Sequence, residues 1–574
     1  SIRRQRQMCI RDRNVGLGLD RRSESVGGRD DSREENGGSS LPASSDIRIR
    51  PERIPAALRD QWDGEPLTDA SSDDPSRGSI ESLDSLIDSL AQRWDGRVVL
   101  ADGSPESSET SISSTETTYT GSELVKQCDR LADSIASVCP EGGVVAIDMP
   151  KSAAQAIAVL ASLRVHRPFV VIDDDAPQER RSFIMKDSAA AAVVTGLDDV
   201  QPVEHGDDEQ SPHEPDELAY IVYTSGTTGR PKGVNVSRRA LEHLIAGHQA
   251  QLFPETLDHA ATSQPQASAS LAHTASFAFD AAIDQLSWIF AGVRVVIYNR
   301  STVADGEAFH RCLRRDNITM IDATPSLFGA LLASGVPLLD AQKLQIRAVL
   351  LGGEPMPQQL WNQVAAASHV IGWNMYGPSE ATVDALCARI TPGTVTMGWP
   401  VPGLSIRICD ASGEVVPPGE EGELWLIGEQ IAQGYRNNPD ATAQAFFRAD
   451  ATASRPRTDV TTDGSDADAL VPAYRTGDRV RWVPGRGVAF IGRADNQIEV
   501  RGHRVELEEI DGALAALPGV RAAGTVAVAR GVGDESRPDD KSSASTGAGH
   551  AHSGAATVSI RAGVVLEGLA GNTP

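Results

Sequence analysis

Residues 223–234 read YTSGTTGRPKGV, directly after the apolar run AYIV. These twelve residues hold four Gly or Pro, four Ser or Thr, and Lys232. A buried strand opening into such a loop points to oxyanions: hydroxyls donate, glycines let backbone amides approach closely, and the lysine adds a point charge. A Walker loop is excluded by spacing. Counted from Gly226, that motif's second Gly would stand where Pro231 is, and Lys232 is followed by Gly233 rather than Ser or Thr. Proline also lacks the backbone donor that such a cradle uses.

Outward from the loop, short β-branched runs alternate with amphipathic segments. GVVAID (143–148) precedes SAAQAIAVLASLRV; PFVVID (168–173) precedes APQERRSFIMKDS, and AAVVT follows. RVVIY, ITMID, PSLFGALLA and IRAVLLGG continue the pattern. This alternation predicts parallel sheets covered by helices. After about residue 393 the period shortens to two (SIRICD, GELWLIG, RVRWV, VAFIG), which predicts an antiparallel β-rich region. The fold class is therefore α/β with a β-rich region.

Residues 1–77 read as linker, with the Arg-rich SIRRQRQMCIRDR (1–13) foreign to so acidic a chain. Polar tracts at 198–217, 451–469 and 533–555 read as solvated insertions. A net charge of −26 argues against a nucleic-acid partner. No apolar run approaches the ~20 residues that span a bilayer. Six scattered cysteines without CxxC or His clusters suit reduced thiols in the cytoplasm better than a disulfide framework or zinc site.

The loop resembles the phosphate-loop signature of the adenylate-forming superfamily, and further motifs follow in that family's order. They are RPFVVIDDDAP (167–177), NMYGPSEAT (374–382), GELWLIGEQIAQGYRNNPDAT, YRTGDRVRW (474–482) and GRADNQIEVRGHRVELEEID (492–511). The resemblance runs from about Tyr119 to about Val528. RGHRVELEEID and SFAFDAAIDQL are similar to the amino-acid adenylation domains of nonribosomal peptide synthetases, although Ala282 stands where that branch has Ser. The resemblance implies a large domain over 78–494, and a small, incomplete C-terminal α+β domain over 495–574 joined by a hinge at Asp495.

The implied substrates are ATP with Mg²⁺ and an amino acid. The implied partners are a peptidyl carrier domain bearing phosphopantetheine, absent from this chain, and a condensation domain. Thr224, Ser225, Gly226, Thr227, Thr228, Gly229 and Lys232 would hold the leaving phosphates, with Lys232, Thr228 and Glu380 catalytic and Glu380 on the metal. Gly352, Gly353, Glu354, Asn374, Tyr376 and Gly377 would wall the adenine site, and Asp478 and Arg493 would take the ribose.

By the same resemblance, Asp280 grips the substrate α-ammonium, as a desolvated cation requires a charged partner. Ala281, Asp284, Asp322, Leu350, Gly352, Met375, Val383 and Asp384 would complete the pocket. Three further carboxylates there predict a basic or amide side chain: arginine, ornithine, lysine or glutamine. The family's second lysine motif has no counterpart, since Lys541 is the only lysine after Lys343 and lies in a Ser/Gly/Ala tract. The expectation is a fragment of a larger synthetase, with impaired turnover. The alternatives are a catalytically silent binding module, and an acyl-CoA or aryl-acid ligase.

Overall fold

The runs that alternate with helical segments form two large sheets that share one core. In the computed structural model the described residues are 67–69, 79–103, 117–203, 218–225, 231–263, 269–450, 470–495, 497–500, 503–507, 510, 511, 514, 517, 520–530 and 557–566.

The first sheet has seven strands, in the order Gly434–Tyr435, Lys232–Ser237, Leu218–Thr224, Phe169–Val171, Val144–Ile147, Ala190–Gly196, Asp199–Pro202. Its centre is parallel and its margins antiparallel. The second has nine strands, with Ile371–Tyr376, Ala348–Gly352, Met320–Ala323, Ser270–His273, Arg294–Ile297 and Val98–Asp102 running parallel in that order. Strands buried on both faces explain the uninterrupted apolar runs: all four residues of Val144–Ile147 are buried.

Helix Ala153–Arg164 starts at Ser152, whose hydroxyl accepts from Gln155 N. Ten of its residues are buried, because it lies within the cluster that joins the two sheets, with Ile157 and Leu160 among Val145, Leu271 and Val295. A helix covered all round carries no polar stripe. The far face of the second sheet is covered separately, with Phe309, Phe328 and Trp361 supplied by helices Gly306–Arg315, Pro325–Ala333 and Gln358–Ala366.

The β-rich region is an antiparallel sheet of Ser405–Cys409, Glu421–Ile427, Leu470–Val483, Phe446–Asp450 and Gly487–Arg493. Further on, Gln497–Val500 pairs with His503–Glu506 and Val520–Arg530 with Thr557–Leu566, all antiparallel.

Two expected connectors are partly ordered. Asp199–Pro202, inside the tract 198–217, is an edge strand against Ala190–Gly196; an exposed edge tolerates the charge that made it read as connector. Thr68–Asp69, inside the expected linker 1–77, pairs in parallel with Ser79–Ile80. Residues 1–66, 70–77 and 204–217, and all of 451–469 and 533–555, lie outside the described residues.

Candidate active site

The site residues gather at the carboxyl ends of the parallel strands of the second sheet, where open α/β sheets place their ligand sites. Asp322 pairs in register with His273 on one side and Leu350 on the other, and Gly352 pairs with Met375. In-register neighbours share a face, so Asp322, Leu350, Gly352 and Met375 look toward the inter-sheet side. Leu350 is wholly buried there. Asn374 falls on the opposite face, 5% exposed, and its amide donates to Thr396 O at 2.8 Å. The strand's alternation thus sets it on the face of Tyr376 and away from Met375.

The loop that opened the sequence closes a hairpin. Lys232 stands directly across from Thr224, between antiparallel strands. Thr224 Oγ1 is buried without a hydrogen-bond partner among the described residues, and Ser225 is half-buried. Gly226, Thr227, Thr228 and Gly229 lie outside the described residues.

Lys232 Nζ is 3.7 Å from Glu380 Oε1, and sits 4.5 Å from the centre of the Tyr435 ring. Glu380 is wholly buried and accepts the Tyr435 hydroxyl at 2.7 Å. Burial first, then the Glu380 charge, pushes the Tyr435 phenol far up, so it stays a donor. A cation and a hard anionic oxygen held this close, beside a hydroxyl-rich hairpin loop, fit a polyphosphate with its divalent cation. Such an ion needs only one or two carboxylates, because the phosphates supply other ligands.

Around the expected ribose position, Arg493 Nη1 donates to Asp478 Oδ1 at 2.6 Å and to Thr476 O at 3.1 Å. Its Nε and Nη2 fork onto Asp495 at 2.7 and 2.8 Å. Tyr376 donates its hydroxyl to Asp478; burial, then this carboxylate, raises the phenol well above its ordinary range. Glu354 accepts from Ser326 N and Oγ, both at 2.9 Å, which ties it to the start of helix Pro325–Ala333.

Two glycines permit this crowding. A side chain at Gly377 would overlap the Val383 carbonyl, and one at Gly352 would press on Met375 O at 2.9 Å. Gly353 uses a φ of +77°. Beyond Gly377 the chain passes through Thr382 and Val383 at φ 55° and 70°. For β-branched residues that conformation costs about 1–3 kcal/mol each. Gln430 holds the strained turn, its side-chain amide donating to Ala381 O at 2.9 Å and Asp384 O at 2.6 Å while its backbone carbonyl accepts the Thr382 hydroxyl at 2.6 Å.

The expected amino-acid pocket is strongly acidic. Asp280 caps helix Ala281–Ser287, accepting from Ala281 N at 3.0 Å; its other oxygen, Oδ2, is buried without a hydrogen-bond partner among the described residues. Asp284 lies one turn on, 3% exposed. Asp322 accepts from Gln285 Nε2 at 3.1 Å. Burial lifts the Asp280 carboxyl above its ordinary value, against the Ser379 hydroxyl and with the push of Glu380. Burial, then the Asp284 charge, lifts Asp322 and Asp384 much further. Asp384 feels Asp284, Asp322 and Asp280, and carboxyls crowded in this way call for a counter-charge.

Sequence reasoning missed three partners of these groups. Tyr435 lies within a quoted motif, but nothing in the motif's spacing marks a link to Glu380. Tyr220 carries a buried hydroxyl that has no hydrogen-bond partner among the described residues and feels Asp280 and Asp284. His248 lies within reach of both Asp284 and Asp384, yet in sequence it is one histidine on an ordinary amphipathic helix. Among the described residues no helix is long and apolar enough to cross a membrane, and the five described cysteines are buried, none of them in a disulfide.

Comparison with known proteins agrees with this architecture. The chain is 31% identical over 421 residues to vanchrobactin synthetase VabF of Vibrio anguillarum, covering 69% of this chain and 14% of that protein. It is 32% identical over 454 residues to phosphinothricin tripeptide synthetase PhsC of Streptomyces viridochromogenes, covering 75% and 38%. The chain thus spans well under half the length of these two curated relatives. In fold it is similar to holo-PA1221, an NRPS protein containing adenylation and PCP domains, with a TM-score of 0.61 and 21% identity over 78% of this chain and 74% of that one. The family model described as AMP-binding enzyme matches residues 91–436, more than half of the chain, and the chain belongs to that family.

Proposed function

We propose that this chain activates an amino acid as its aminoacyl-adenylate and passes it to the phosphopantetheine thiol of a carrier domain in a cytoplasmic nonribosomal peptide synthetase. The single observation that carries this reading is Asp280. Its buried Oδ2 has no hydrogen-bond partner among the described residues, and it sits beside a pocket whose other walls supply carboxylates, with His248 within ion-pair reach of Asp284 and Asp384. A substrate α-ammonium supplies the missing charge.

In the first half-reaction a substrate carboxylate oxygen attacks the α-phosphorus of ATP. A C–O–P bond forms, the bond to the bridging oxygen breaks, and pyrophosphate leaves with the electron pair. In the second, the carrier thiol loses its proton and attacks the acyl carbon; a thioester forms and AMP leaves.

Lys232 with Thr224, Ser225, Thr227 and Thr228 holds the leaving phosphates. Tyr376 lies against the adenine, and Asp478, set by Arg493, accepts the ribose hydroxyls. Glu380 would hold the Mg²⁺, which when bound neutralises charge developing on the phosphate oxygens. Asp495 is the hinge between a large domain, 78–494, and a smaller one, 495–574. The side chain selected is basic or amide, because Asp284, Asp322 and Asp384 repel an acidic one. No residue of this sequence is assigned the role of the family's second lysine.

The test is amino-acid-dependent ATP–pyrophosphate exchange across a full amino-acid panel, with Asp280→Asn in parallel. Exchange should be stimulated by arginine, ornithine, lysine or glutamine and lost in Asp280→Asn. Stimulation only by leucine or phenylalanine overturns the side-chain assignment. Stimulation by aryl or fatty acids in place of amino acids overturns the amino-acid reading itself.

A further inference from the structure

His248 opens a short π-helical turn, His248–Leu252, between helices Arg238–Gly247 and Phe253–Ser263. Such turns cluster at functional sites, because one inserted residue re-aims its neighbours. The ring is 1% exposed. Nδ1 lies 3.0 Å from Asp284 Oδ1 and Nε2 lies 3.7 Å from Asp384 Oδ2. Both are ion-pair distances. The Phe253 ring closes one side at 5.6 Å between centroids.

Histidine with two aspartates suggests a metal site, but the arrangement argues otherwise. The two carboxylates face opposite ring nitrogens, and one ion can take only one of them. A doubly protonated ring, by contrast, offers a donor to each side and satisfies both carboxylates.

We propose that His248 is a specificity-determining positioning residue: an imidazolium clamped between Asp284 and Asp384 that fixes both carboxylates and cancels one of their charges, leaving the pocket matched to a substrate with a single positive charge on its side chain. This rests on the reading of Asp280 and its neighbours as the amino-acid pocket.

The charge count supports a monocation. With Asp280 reserved for the α-ammonium, and Asp322 kept protonated by burial and the Asp284 charge, Asp284 and Asp384 face one internal cation and one negative charge remains. Burial opposes the charged ring, but Asp284 and then Asp384 outweigh it and raise His248 above its ordinary 6.5. The other titratable groups around the cluster do not supply a cation. Tyr220 feels Asp280 and Asp284, and Cys387 feels Asp384 and Glu255 while burial holds its thiol up to about 12. Asp384, which burial and the Asp284 charge also hold well above its ordinary value, retains its proton while the pocket is empty. A guanidinium or ammonium entering the pocket displaces that proton and completes the clamp.

The test is isothermal titration calorimetry of the chain with L-arginine, L-ornithine and the neutral comparators L-citrulline and L-glutamine, in buffers of different ionisation enthalpy. Arginine or ornithine should bind at least tenfold more tightly than its neutral comparator and release protons. In His248→Gln that discrimination should fall at least tenfold, and fewer protons should be released per cation bound, since Asp384 loses the positive neighbour that favours its ionised form. Unchanged discrimination and proton release in a folded His248→Gln would overturn the proposal, as would tighter binding of the neutral ligands to the wild type.

Should the variant not fold, histidine-selective ¹⁵N spectra of the wild-type chain decide, with His248→Asn used for assignment or, failing that, ring contacts to Phe253. A charged ring at pH 7.5 supports the clamp and a neutral ring sinks it. Failure of the underlying pocket assignment looks different: Asp280→Asn would then bind arginine as well as the wild type does.

Discussion

The Tyr435 hydroxyl donates to Glu380 Oε1 at 2.7 Å, while the same ring faces Lys232 Nζ at 4.5 Å. One side chain from the edge strand Gly434–Tyr435 therefore sets the carboxylate and the lysine that we assign to the metal and the phosphates. Tyr435 belongs to the first sheet and Glu380 follows the second, so the bond also ties the two sheets together at the site.

Tyr435→Phe keeps the ring and removes the donor to a wholly buried carboxylate. Leaving such a group without its donor costs about 1–3 kcal/mol of stability. Groups that orient a metal-holding carboxylate typically contribute 10–100-fold in activity. The variant should unfold at lower urea and lose exchange activity by about that factor, with no change in amino-acid preference. Wild-type exchange in Tyr435→Phe would remove Tyr435 from the machinery.

Arg493 spends its fork on Asp495 and its remaining nitrogen on Asp478 and Thr476 O. Lysine has one nitrogen and cannot serve two carboxylates in a planar arrangement. Arg493→Lys should raise the KM for ATP roughly tenfold, the equivalent of one charge-assisted bond, and leave the KM for the amino acid unchanged. A rise in both KM values would point to a general loosening of the β-rich region instead.

Gly377 is required for space rather than for φ. Its added methyl would meet the Val383 carbonyl and Ala385 N, in a turn already strained at Thr382 and Val383. Overpacking of this kind costs about 1–3 kcal/mol. Gly377→Ala should lower the thermal midpoint accordingly and weaken ATP and amino-acid binding together, because the turn joins Tyr376 to Glu380 and Val383. Selective loss of ATP binding alone would place the strain on the nucleotide side only.

The fold was largely legible because its central strands are buried on both faces, which turns them into apolar runs such as VVAI and AVLLG. The margins were less so. Asp199–Pro202 is a strand with polar residues because only one of its edges is paired, and nothing in DDVQP signals that. The site's carboxylates could be named from the resemblance since each occupies a motif or a fixed offset from one. Their partners could not. His248 reaches Asp284 from 36 residues away and Asp384 from 136 away in sequence, through a π-turn that breaks the very periodicity by which helix faces are read. Asn374 was named from its motif, and strand alternation places it on the face of Tyr376 and away from Met375.

The same cluster dictates how stability varies with pH. Asp280, Asp322 and Asp384 are all raised from 3.8 in the folded chain, so above that value the unfolded chain has lost protons that the folded one retains. Stability then falls as pH rises, until each folded value is passed. His248, raised from 6.5, acts in the same direction: its contribution is complete below 6.5 and is lost as pH climbs through the folded value. Lys151 and His273, both lowered by burial, act the other way, so the wild-type slope alone is not diagnostic. The difference between wild type and Asp384→Asn is. Asparagine at 384 removes one proton-retaining carboxyl, which should flatten the decline in thermal midpoint from pH 6 to pH 9 relative to wild type. Saturating L-arginine should flatten it in the wild type as well, by supplying the counter-charge. Parallel slopes for the two proteins would mean that Asp384 ionises freely in the folded chain, and that the pocket is not short of positive charge.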